Sequence, residues 1–322
     1  MAVAAGKGTV CVLGGTGFVG RAIAAKLARA GYAIRIPTRN RQRARKLLIL
    51  PGLDLVQADV HDPEQLASVL RGADTVINLI GILNERGHDG SGFRRAHVEL
   101  AEKLMAASRK VGVRRLLQMS ALKANAERGP SHYLSTKGMA EQVIQNRAGE
   151  SIKYTIFRPS VIFGPEDSFC NRFAGILRAT PVLPLARLDA RFAPVYVGDV
   201  AEAFVRAIGN SHTYGKTFEL CGPDVFTLEQ ILRLLCSELG LRRAIIGLPG
   251  PLGRFQAWVG DYLLPGKPFS RDNFRSLAVA SVCRENGFAA FGIRPKRMQP
   301  IVRSYLTESR DELAIIRQGS HR

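Results

Sequence analysis

The turn that decides the fold lies near the amino terminus and reads Val12-Leu13-Gly14-Gly15-Thr16-Gly17-Phe18-Val19-Gly20. An apolar run precedes it and a helix-like window follows it, so the turn joins a strand to a helix. Gly14 permits the tight turn, Gly17 lets a pyrophosphate approach the backbone, and Gly20 lets the helix pack on the strand. An ordinary glycine-rich turn is the alternative. We predict a dinucleotide-binding turn with contacts from Gly14, Thr16, Gly17, Phe18, Val19 and Gly20.

Short β-branched runs and amphipathic windows alternate along the first half of the chain. This order is typical of βαβ units, and runs that are apolar on both faces fit strands of a buried parallel sheet. Asp62-Pro63 is a readable helix start, and Gly31 is expected to end the first helix. The predicted strands are Val10–Leu13, Ala33–Pro37, Leu53–Asp59, Thr75–Ile80, Arg115–Ser120 and Tyr154–Phe163, with helices near 18–30, 63–72, 94–111 and 133–147.

Proline punctuates the chain after Pro165, and the regular alternation is lost. Phe192–Val197 is expected to form one more strand, before a capped helix that returns to the large sheet. We therefore predict an α/β protein with a Rossmann-type doubly wound parallel sheet and a smaller C-terminal α/β region. Residues 1–165, joined by 192–210, would form an NAD(P)-binding domain, and residues 166–322 a smaller substrate- or partner-binding region.

The chain is strongly basic: its 322 residues carry 46 Lys and Arg against 27 Asp and Glu, a formal net charge of +19. Its 46% apolar content can fill a core, which excludes a disordered basic tail protein. Nucleic acid, an anionic membrane surface or a phosphorylated ligand would match this charge. Because no run approaches about 18 apolar residues and no signal peptide is readable, we expect no transmembrane segment and a cytoplasmic location.

The cysteines are odd in number, far apart and without a CxxC pair. We therefore expect neither a disulfide framework nor a metal site, and a reducing compartment fits best. The five residues are Cys11, Cys170, Cys221, Cys236 and Cys283.

Cofactor choice is expected at the end of the second strand, about 20 residues after the glycine-rich turn. The chain reads Pro37-Thr38-Arg39 there, and ten Lys or Arg precede the first acidic residue, Asp54. A carboxylate at this point would hold the ribose 2′-hydroxyl of NAD, whereas a guanidinium pairs with the 2′-phosphate of NADP. We predict NADP(H) over NAD(H), with Arg39 as the principal contact and Arg21 or Arg41 as a second. A solvated basic face is the alternative for Arg41, Arg43, Arg45 and Lys46.

Two further strand ends are candidates for cofactor contacts. Asp59 and Val60 end the third strand, where a carboxylate can accept from the adenine amino group. Asn78 ends the fourth strand, close to the expected ribose position. A plain strand end is the alternative at both places.

Tyr133 and Lys137 lie four residues apart on one face of a predicted helix, and Ser120 ends the preceding strand. Lys137 and the positive charge of the cofactor would lower the pKa of Tyr133. Tyr133 would then exchange a proton with a carbonyl or hydroxyl group held by Ser120, while Lys137 also bonds the nicotinamide ribose. The alternative is a surface tyrosine beside a ribose-binding lysine, without turnover.

The turn at Gly14–Gly20, Asp59, the Ser120/Tyr133/Lys137 set and Phe157–Pro165 together resemble an extended or atypical short-chain dehydrogenase/reductase, a superfamily that includes NAD-dependent epimerases and dehydratases. Within it the chain is most similar to the nucleotide-binding alpha-subcomplex accessory subunit of respiratory complex I (NADH:ubiquinone oxidoreductase) and its bacterial homologues. The stretches that carry this closer likeness are Phe163–Phe169, Pro194–Val200 and Gly215–Pro223.

The resemblance implies that Pro159 lies beside the nicotinamide and that residues after Phe169 shape the substrate or partner side. Related extended enzymes often carry Asn on the helix after the fourth strand, where this chain has Ala96-His97-Val98. His97 either replaces that polar contact or only packs there.

Two functions are compatible with these residues. One is an oxidoreductase that moves hydride between NADPH and a carbonyl or quinone-like substrate through Ser120, Tyr133 and Lys137. The other, implied by the resemblance, is a non-catalytic subunit that carries NADPH within a respiratory-complex partner. Nucleic-acid binding is disfavoured, because no aromatic residue interleaves Arg39–Lys46 to stack on bases.

One later segment, Pro251–Pro265, combines the only tryptophan with several large apolar residues near Arg254, Lys267 and Arg271. It either docks on an anionic membrane surface or a partner protein, or covers the core of the second domain. Docking would place the protein peripherally at the inner face of the cytoplasmic membrane.

Overall fold

The computed structural model describes residues 7–262 and 269–306. Its strands are β1 (Thr9–Leu13), β2 (Ala33–Thr38), β3 (Leu53–Gln57), β4 (Thr75–Asn78), β5 (Arg115–Met119), β6 (Lys153–Pro159), β7 (Ile162–Phe163), β8 (Val182–Ala186), β9 (Arg191–Phe192), β10 (Val195–Tyr196), β11 (Lys216–Leu220), β12 (Phe226–Thr227) and β13 (Ala244–Leu248). Its α-helices are α1 (Phe18–Arg29), α2 (Pro63–Leu70), α3 (Ser91–Arg94), α4 (Leu100–Val111), α5 (His132–Ala148), α6 (Cys170–Ala179), α7 (Val197–Ala207), α8 (Leu228–Glu238), α9 (Gly250–Tyr262) and α10 (Arg271–Ser276), followed by a helix over residues 298–306.

Seven of these strands form one parallel sheet in the order β11-β6-β5-β4-β1-β2-β3. The strand order reverses between β1 and β4, which pair from Val10↔Thr75 to Leu13↔Asn78. In an open parallel sheet the carboxyl ends of the strands at such a reversal line the ligand crevice. The predicted Rossmann-type doubly wound fold is confirmed, and the glycine-rich turn follows β1 at the reversal.

Local sequence explains how the elements of this sheet begin and end. Strands β4 and β5 are buried along their whole length, as expected for strands covered by helices on both faces. The Asp62 carboxylate accepts from the backbone N–H groups of Glu64 and Gln65, both at 2.9 Å, so the predicted start of α2 is confirmed. Gly31 follows α1 with φ of +81°, as a helix-ending glycine does.

The chain divides into two compact units. Of the described residues, the first unit holds those up to Pro159, Gly198–Leu220 and Arg284–Ile293, and the second holds Ser160–Val197, Cys221–Cys283 and those from Arg294 on. The large sheet lies in the first unit, where α2, α4 and α5 cover a core that includes Leu66, Leu104 and Ile144.

The second unit contains three two-stranded pairings, β7 with β10, β8 with β13, and β9 with β12. Its core gathers side chains of α6, α8 and the helix over residues 298–306, among them Leu177, Leu235 and Val302. A role for this unit in binding substrate or a partner stays a prediction.

Two strand expectations are wrong. Tyr154–Phe163 is not one strand, because the chain leaves the sheet at Ser160, whose hydroxyl donates to the Ser281 carbonyl at 2.7 Å within the second unit. Phe192–Val197 forms two short strands, β9 and β10, that pair outside the large sheet. The edge strand that completes the sheet is β11, which pairs with β6 in parallel.

The expectation that the cysteines would remain unpaired is wrong for one pair. Cys221 and Cys283 form a disulfide, with Cα atoms 6.0 Å apart across a sequence separation of 62 residues. Both flank points at which the chain passes between the units, after Leu220 and before Arg284, so the fold joins residues that sequence spacing could not connect. Cys11, Cys170 and Cys236 are free and buried.

Candidate active site

The glycine-rich turn is held tightly by its own backbone. Gly14 has φ of +77°, and its carbonyl accepts from the N–H of Gly17 at 3.0 Å. A Cβ on Gly20 would lie 2.4 Å from the Gly14 carbonyl oxygen, so only glycine lets α1 begin this close to β1.

The start of α1 is suited to an anion. Gly17 is the exposed N-cap residue, no side chain of the described residues caps the helix, and the first turn of α1 holds no acidic residue. The backbone N–H groups of this turn, at the positive end of the helix dipole, can therefore donate hydrogen bonds to a phosphate. The Arg21 guanidinium donates to the Thr16 carbonyl at 2.8 Å, which adds a positive charge beside the turn. These residues fit a bound dinucleotide.

Arg39 follows β2 directly and is exposed, as is Arg41. Across the carboxyl edge of β3, Asp59 is exposed and its carboxylate accepts from the His61 N–H at 3.0 Å, while Val60 is half-buried. Because β2 and β3 are adjacent parallel strands, Arg39 and Asp59 follow neighbouring strand ends at the same edge of the sheet.

Three residues near Asp59 were missed by the sequence interpretation: His61, Arg95 and Lys103. Burial is the main cause that lowers the pKa of His61. The Asp59 carboxylate raises this pKa, and the positive charges of Arg95, Lys103 and Arg39 lower it further. The Lys103 ammonium donates to the His61 carbonyl at 2.8 Å. These residues are distant in sequence, so only the fold brings them to one edge of the sheet.

Ser120 lies just after β5 at the carboxyl edge of the sheet. Its side chain is 3% exposed, and its hydroxyl oxygen is buried with no hydrogen-bond partner among the described residues. The Ser120 N–H donates to the Phe157 carbonyl at 2.7 Å, which fixes the residue's backbone. A buried hydroxyl left unsatisfied is costly unless a ligand completes it, so Ser120 is a candidate for holding a substrate oxygen.

Tyr133 and Lys137 lie in the first two turns of α5, which begins at the capping residue Ser131. The Tyr133 ring is half-buried and meets the rings of Phe93 and His97 edge-on, with centroids 6.2 and 5.7 Å away. The Lys137 ammonium donates to the Met119 carbonyl at 3.2 Å, next to Ser120. The structure thus brings Ser120 and Lys137 to the same strand end, with Tyr133 one helical turn before Lys137.

Burial lowers the pKa of Lys137 to about 8, although the Glu141 carboxylate one turn later raises it. The Glu141 carboxylate is also shared, since it pairs with the Arg158 guanidinium. Burial therefore makes the charged form of Lys137 costly, and the side chain can lose its proton near pH 8.

His97 makes polar contacts as well as packing. Its Nε2 accepts from the Ile82 N–H at 3.3 Å, and its Nδ1 lies 2.9 Å from the Thr136 hydroxyl. The Thr136 hydroxyl donates to the His132 carbonyl at 2.7 Å, so it accepts from Nδ1–H, and the ring is neutral. Burial lowers the pKa of His97 to about 2, in keeping with that tautomer. His97 therefore ties the loop after β4 to the helix that carries Tyr133 and Lys137.

Gly81 completes this corner of the site. A Cβ there would lie 2.9 Å from the Lys137 ammonium and 3.3 Å from His97 Nε2. The two side chains thus converge on a position where the chain has no side chain of its own.

Two predicted cofactor contacts are occupied within the protein. The Asn78 amide donates to the Gln118 side chain at 2.9 Å, and its oxygen accepts from the Ile80 N–H at 3.2 Å. Pro159 is buried at the end of β6, where its carbonyl accepts from the Leu122 N–H at 2.9 Å. Both shape the sheet edge through the backbone around them, and direct contacts to a cofactor stay predictions.

Lys137 is expected to make the protein more stable as the pH rises from about 8 toward 10.5, the ordinary lysine value. Because its pKa is lowered in the folded state, the unfolded chain binds more protons in this window, and the free energy of unfolding increases with pH by up to about 1.4 kcal/mol per unit. Urea unfolding across this range should show a steeper rise for the wild-type protein than for Lys137→Met. The exposed Lys110→Met is the control, and parallel curves for the wild type and Lys137→Met would contradict the burial effect.

Several known proteins are similar to this chain in sequence. Residues 10–221 match the model of the NAD dependent epimerase/dehydratase family. The chain is 34% identical over 266 residues to "NADH dehydrogenase [ubiquinone] 1 alpha subcomplex subunit 9, mitochondrial" of Arabidopsis thaliana, covering 80% of this chain and 64% of that relative, so it spans less than two thirds of the relative's length. It is 28% identical to "Ceramide reductase" of Caulobacter vibrioides, covering 76% of this chain and 75% of the relative.

Solved structures show the same fold. UDP-glucose 4-epimerase of Thermotoga maritima matches with a TM-score of 0.71 at 18% identity, over 94% of this chain and 99% of that one. Identity at this level supports the fold alone.

Proposed function

The chain belongs to the NAD dependent epimerase/dehydratase family, and we propose that it is an oxidoreductase in which the exposed Arg39 after β2 favours NADP(H) over NAD(H). In this function hydride moves between the nicotinamide and a carbonyl or quinone-like substrate, with Ser120, Tyr133 and Lys137 as the catalytic set. The observation that carries the proposal is the buried Ser120 hydroxyl, which has no hydrogen-bond partner within residues 7–262 and 269–306, next in sequence to the Met119 carbonyl that the buried Lys137 ammonium contacts.

When bound, the reduced nicotinamide supplies the hydride, and the protein's residues manage the proton. The Ser120 hydroxyl donates a hydrogen bond to the substrate oxygen and orients the carbonyl. The Tyr133 hydroxyl gives its proton to that oxygen as the alcohol forms, and the Lys137 ammonium stabilises the resulting phenolate. His97, held neutral, positions α5 and takes no proton.

The direct test is the oxidation of NADPH by the purified protein against a panel of carbonyl and quinone compounds. Substrate-dependent oxidation with product alcohol or hydroquinone in equal amount is the expected result. A protein that binds NADPH but oxidises it with no member of the panel would favour the second function below.

Replacing Arg39 with Ala is expected to weaken NADPH binding by about 10–100-fold and to leave NADH binding nearly unchanged. The reason is that a hydrogen-bonded ion pair between the guanidinium and the 2′-phosphate contributes about 1.5–3 kcal/mol. Binding titrations with both nucleotides measure the effect.

The control for this change is Arg29→Ala, which removes the same charge from an exposed residue at the far end of α1. Tighter binding of NADH than of NADPH to the wild-type protein would overturn the cofactor preference.

A second function, an accessory or assembly subunit that carries NADPH in a respiratory complex, is supported by the Arabidopsis relative, which is named as a subunit of NADH dehydrogenase. In that function the dinucleotide has a structural or sensing role, at the cytoplasmic membrane. Co-purification of the tagged chain with an intact NADH:ubiquinone oxidoreductase would support it, whereas recovery of the chain alone together with NADPH turnover would support the enzyme.

A further inference from the structure

Helix α9 in the second unit carries its large apolar side chains outward. Leu252, Phe255, Trp258 and Tyr262 are 53%, 62%, 44% and 47% exposed, and at helical spacing they fall within one arc of the helix surface. The residues that α9 buries are small or polar: Gly253, Ala257, Gly260 and Asp261. This is the reverse of a helix that covers a core with its bulky side chains.

Close contacts on the buried side fix this orientation. A Cβ on Gly253 would lie 2.7 Å from Cβ of Ala186, and one on Gly260 would lie 2.2 Å from the Phe269 carbonyl oxygen. The Gln256 side chain also accepts from the Ala186 N–H at 3.1 Å and donates to the Pro184 carbonyl at 2.7 Å. The helix cannot turn its bulky residues inward without losing these contacts, so their exposure is built into the fold.

The exposed side chains form one continuous aromatic surface. The rings of Phe255 and Trp258 stack with centroids 6.1 Å apart, and Trp258 meets Tyr262 at 5.4 Å. At its end the Arg271 guanidinium lies 5.0 Å from the centre of the Tyr262 ring and donates to the Tyr262 hydroxyl at 2.8 Å. We refer to Leu252, Phe255, Trp258 and Tyr262 as the aromatic face.

The exposed charges near the aromatic face are positive, which favours an anionic partner. Arg254 is exposed on α9 itself, and Arg275 is exposed on α10. The one carboxylate of α9, Asp261, is buried and paired with Arg271 at 3.1 Å, so it does not oppose an anion at the surface. The whole chain adds a formal charge of +19.

We propose that the aromatic face of α9 docks the protein on an anionic lipid bilayer. The helix would lie in the plane of the interface, with Phe255 and Trp258 among the headgroups and upper acyl chains and the flanking arginines near lipid phosphates. Tryptophan and tyrosine favour this interface because each ring has an apolar body and a polar edge. Within residues 7–262 and 269–306, no helix has the length and apolar content of a membrane span.

The proposal adopts the docking alternative for Pro251–Pro265 and does not depend on the proposed catalytic function of the first unit. Leu263–Pro265 and Lys267 lie outside the described residues.

Trp258 is the only tryptophan of the chain, so its fluorescence reports on this helix directly. We expect its emission to shift to shorter wavelength when the full-length protein meets vesicles of phosphatidylglycerol and phosphatidylcholine. The shift should fall away at high salt, because screening weakens the attraction of arginine to phosphate. Vesicles of phosphatidylcholine alone should give little shift.

Phe255→Ser keeps the reporter and is expected to weaken vesicle binding in co-sedimentation by about 10-fold or more, since it removes a large apolar side chain that the bilayer would bury. The matched control is Val225→Ser, at an apolar residue that is 43% exposed elsewhere in the second unit. Circular dichroism and thermal unfolding establish that both variants are folded.

Unchanged Trp258 emission with anionic vesicles, or equal sedimentation of the wild type and Phe255→Ser, would overturn the membrane proposal. The same holds if a protein partner protects Trp258 from quenching while vesicles do not, because the aromatic face would then be a protein interface.

Discussion

Replacing Tyr133 with Phe is expected to lower substrate turnover by about 10²–10⁴-fold while leaving NADPH binding within about 2-fold, since general acid catalysis contributes factors of that size. The substitution removes only the hydroxyl. The phenylalanine ring can keep the edge-on contacts with Phe93 and His97, at 6.2 and 5.7 Å in the wild type. Steady-state kinetics and a nucleotide titration separate the two quantities.

The matched control is Tyr154→Phe, which removes a phenol near the amino end of β6, at the opposite edge of the sheet from Ser120. Its turnover should equal that of the wild type. If Tyr133→Phe also turned over normally, the proton would come from another group, and the catalytic role of Tyr133 would be lost. If neither the two variants nor the wild-type protein oxidised NADPH, the accessory-subunit function would be favoured.

Replacing Gly20 with Ala is expected to affect both the fold and the cofactor site, lowering the free energy of unfolding by about 1–3 kcal/mol and weakening NADPH binding by about 10-fold or more. The new Cβ would lie 2.4 Å from the Gly14 carbonyl oxygen and 2.5 Å from the Gly15 Cα. Both are backbone atoms, so the turn itself must move, and the amides that face the pyrophosphate move with it.

Gly175→Ala is the control for this change. Gly175 also lies inside a helix, α6, but nothing lies within 4 Å of its Cβ position, so alanine should be neutral or stabilise by about 0.5–1 kcal/mol. Thermal unfolding and an NADPH titration measure both variants. A Gly20→Ala protein with wild-type affinity and stability would contradict the close packing of α1 on β1.

The first unit was largely readable from the sequence because its signals are local. The glycine turn, the Asp62 cap and the doubly buried strands each involve residues within a few positions of one another. The strand that ends at Pro159 was predicted too long, because Phe163 continues the apolar pattern and only the Ser160–Ser281 bond reveals the break.

Features that depend on distant residues could not be predicted. The edge strand β11 is half-exposed along most of its length, so it lacks the apolar run of a central strand. The cluster of Arg95 and Lys103 around His61, and the Cys221–Cys283 disulfide, join residues that share no local pattern. In the candidate site, Ser120, Tyr133 and Lys137 are predicted from residue type, spacing and position in the fold, whereas the contacts of His97 join residues 15 and 39 positions away in the sequence.

The discontinuous first unit also has a consequence for protein synthesis. The ribosome makes β6 before the long insertion that starts at Ser160, and the strand that covers its free edge, β11, begins only at Lys216. Until then β6 presents unpaired backbone groups to other nascent chains, a risk for edge-to-edge aggregation. Because Arg284–Ile293 also belongs to this unit, the first unit can complete its fold only after most of the chain has been synthesised.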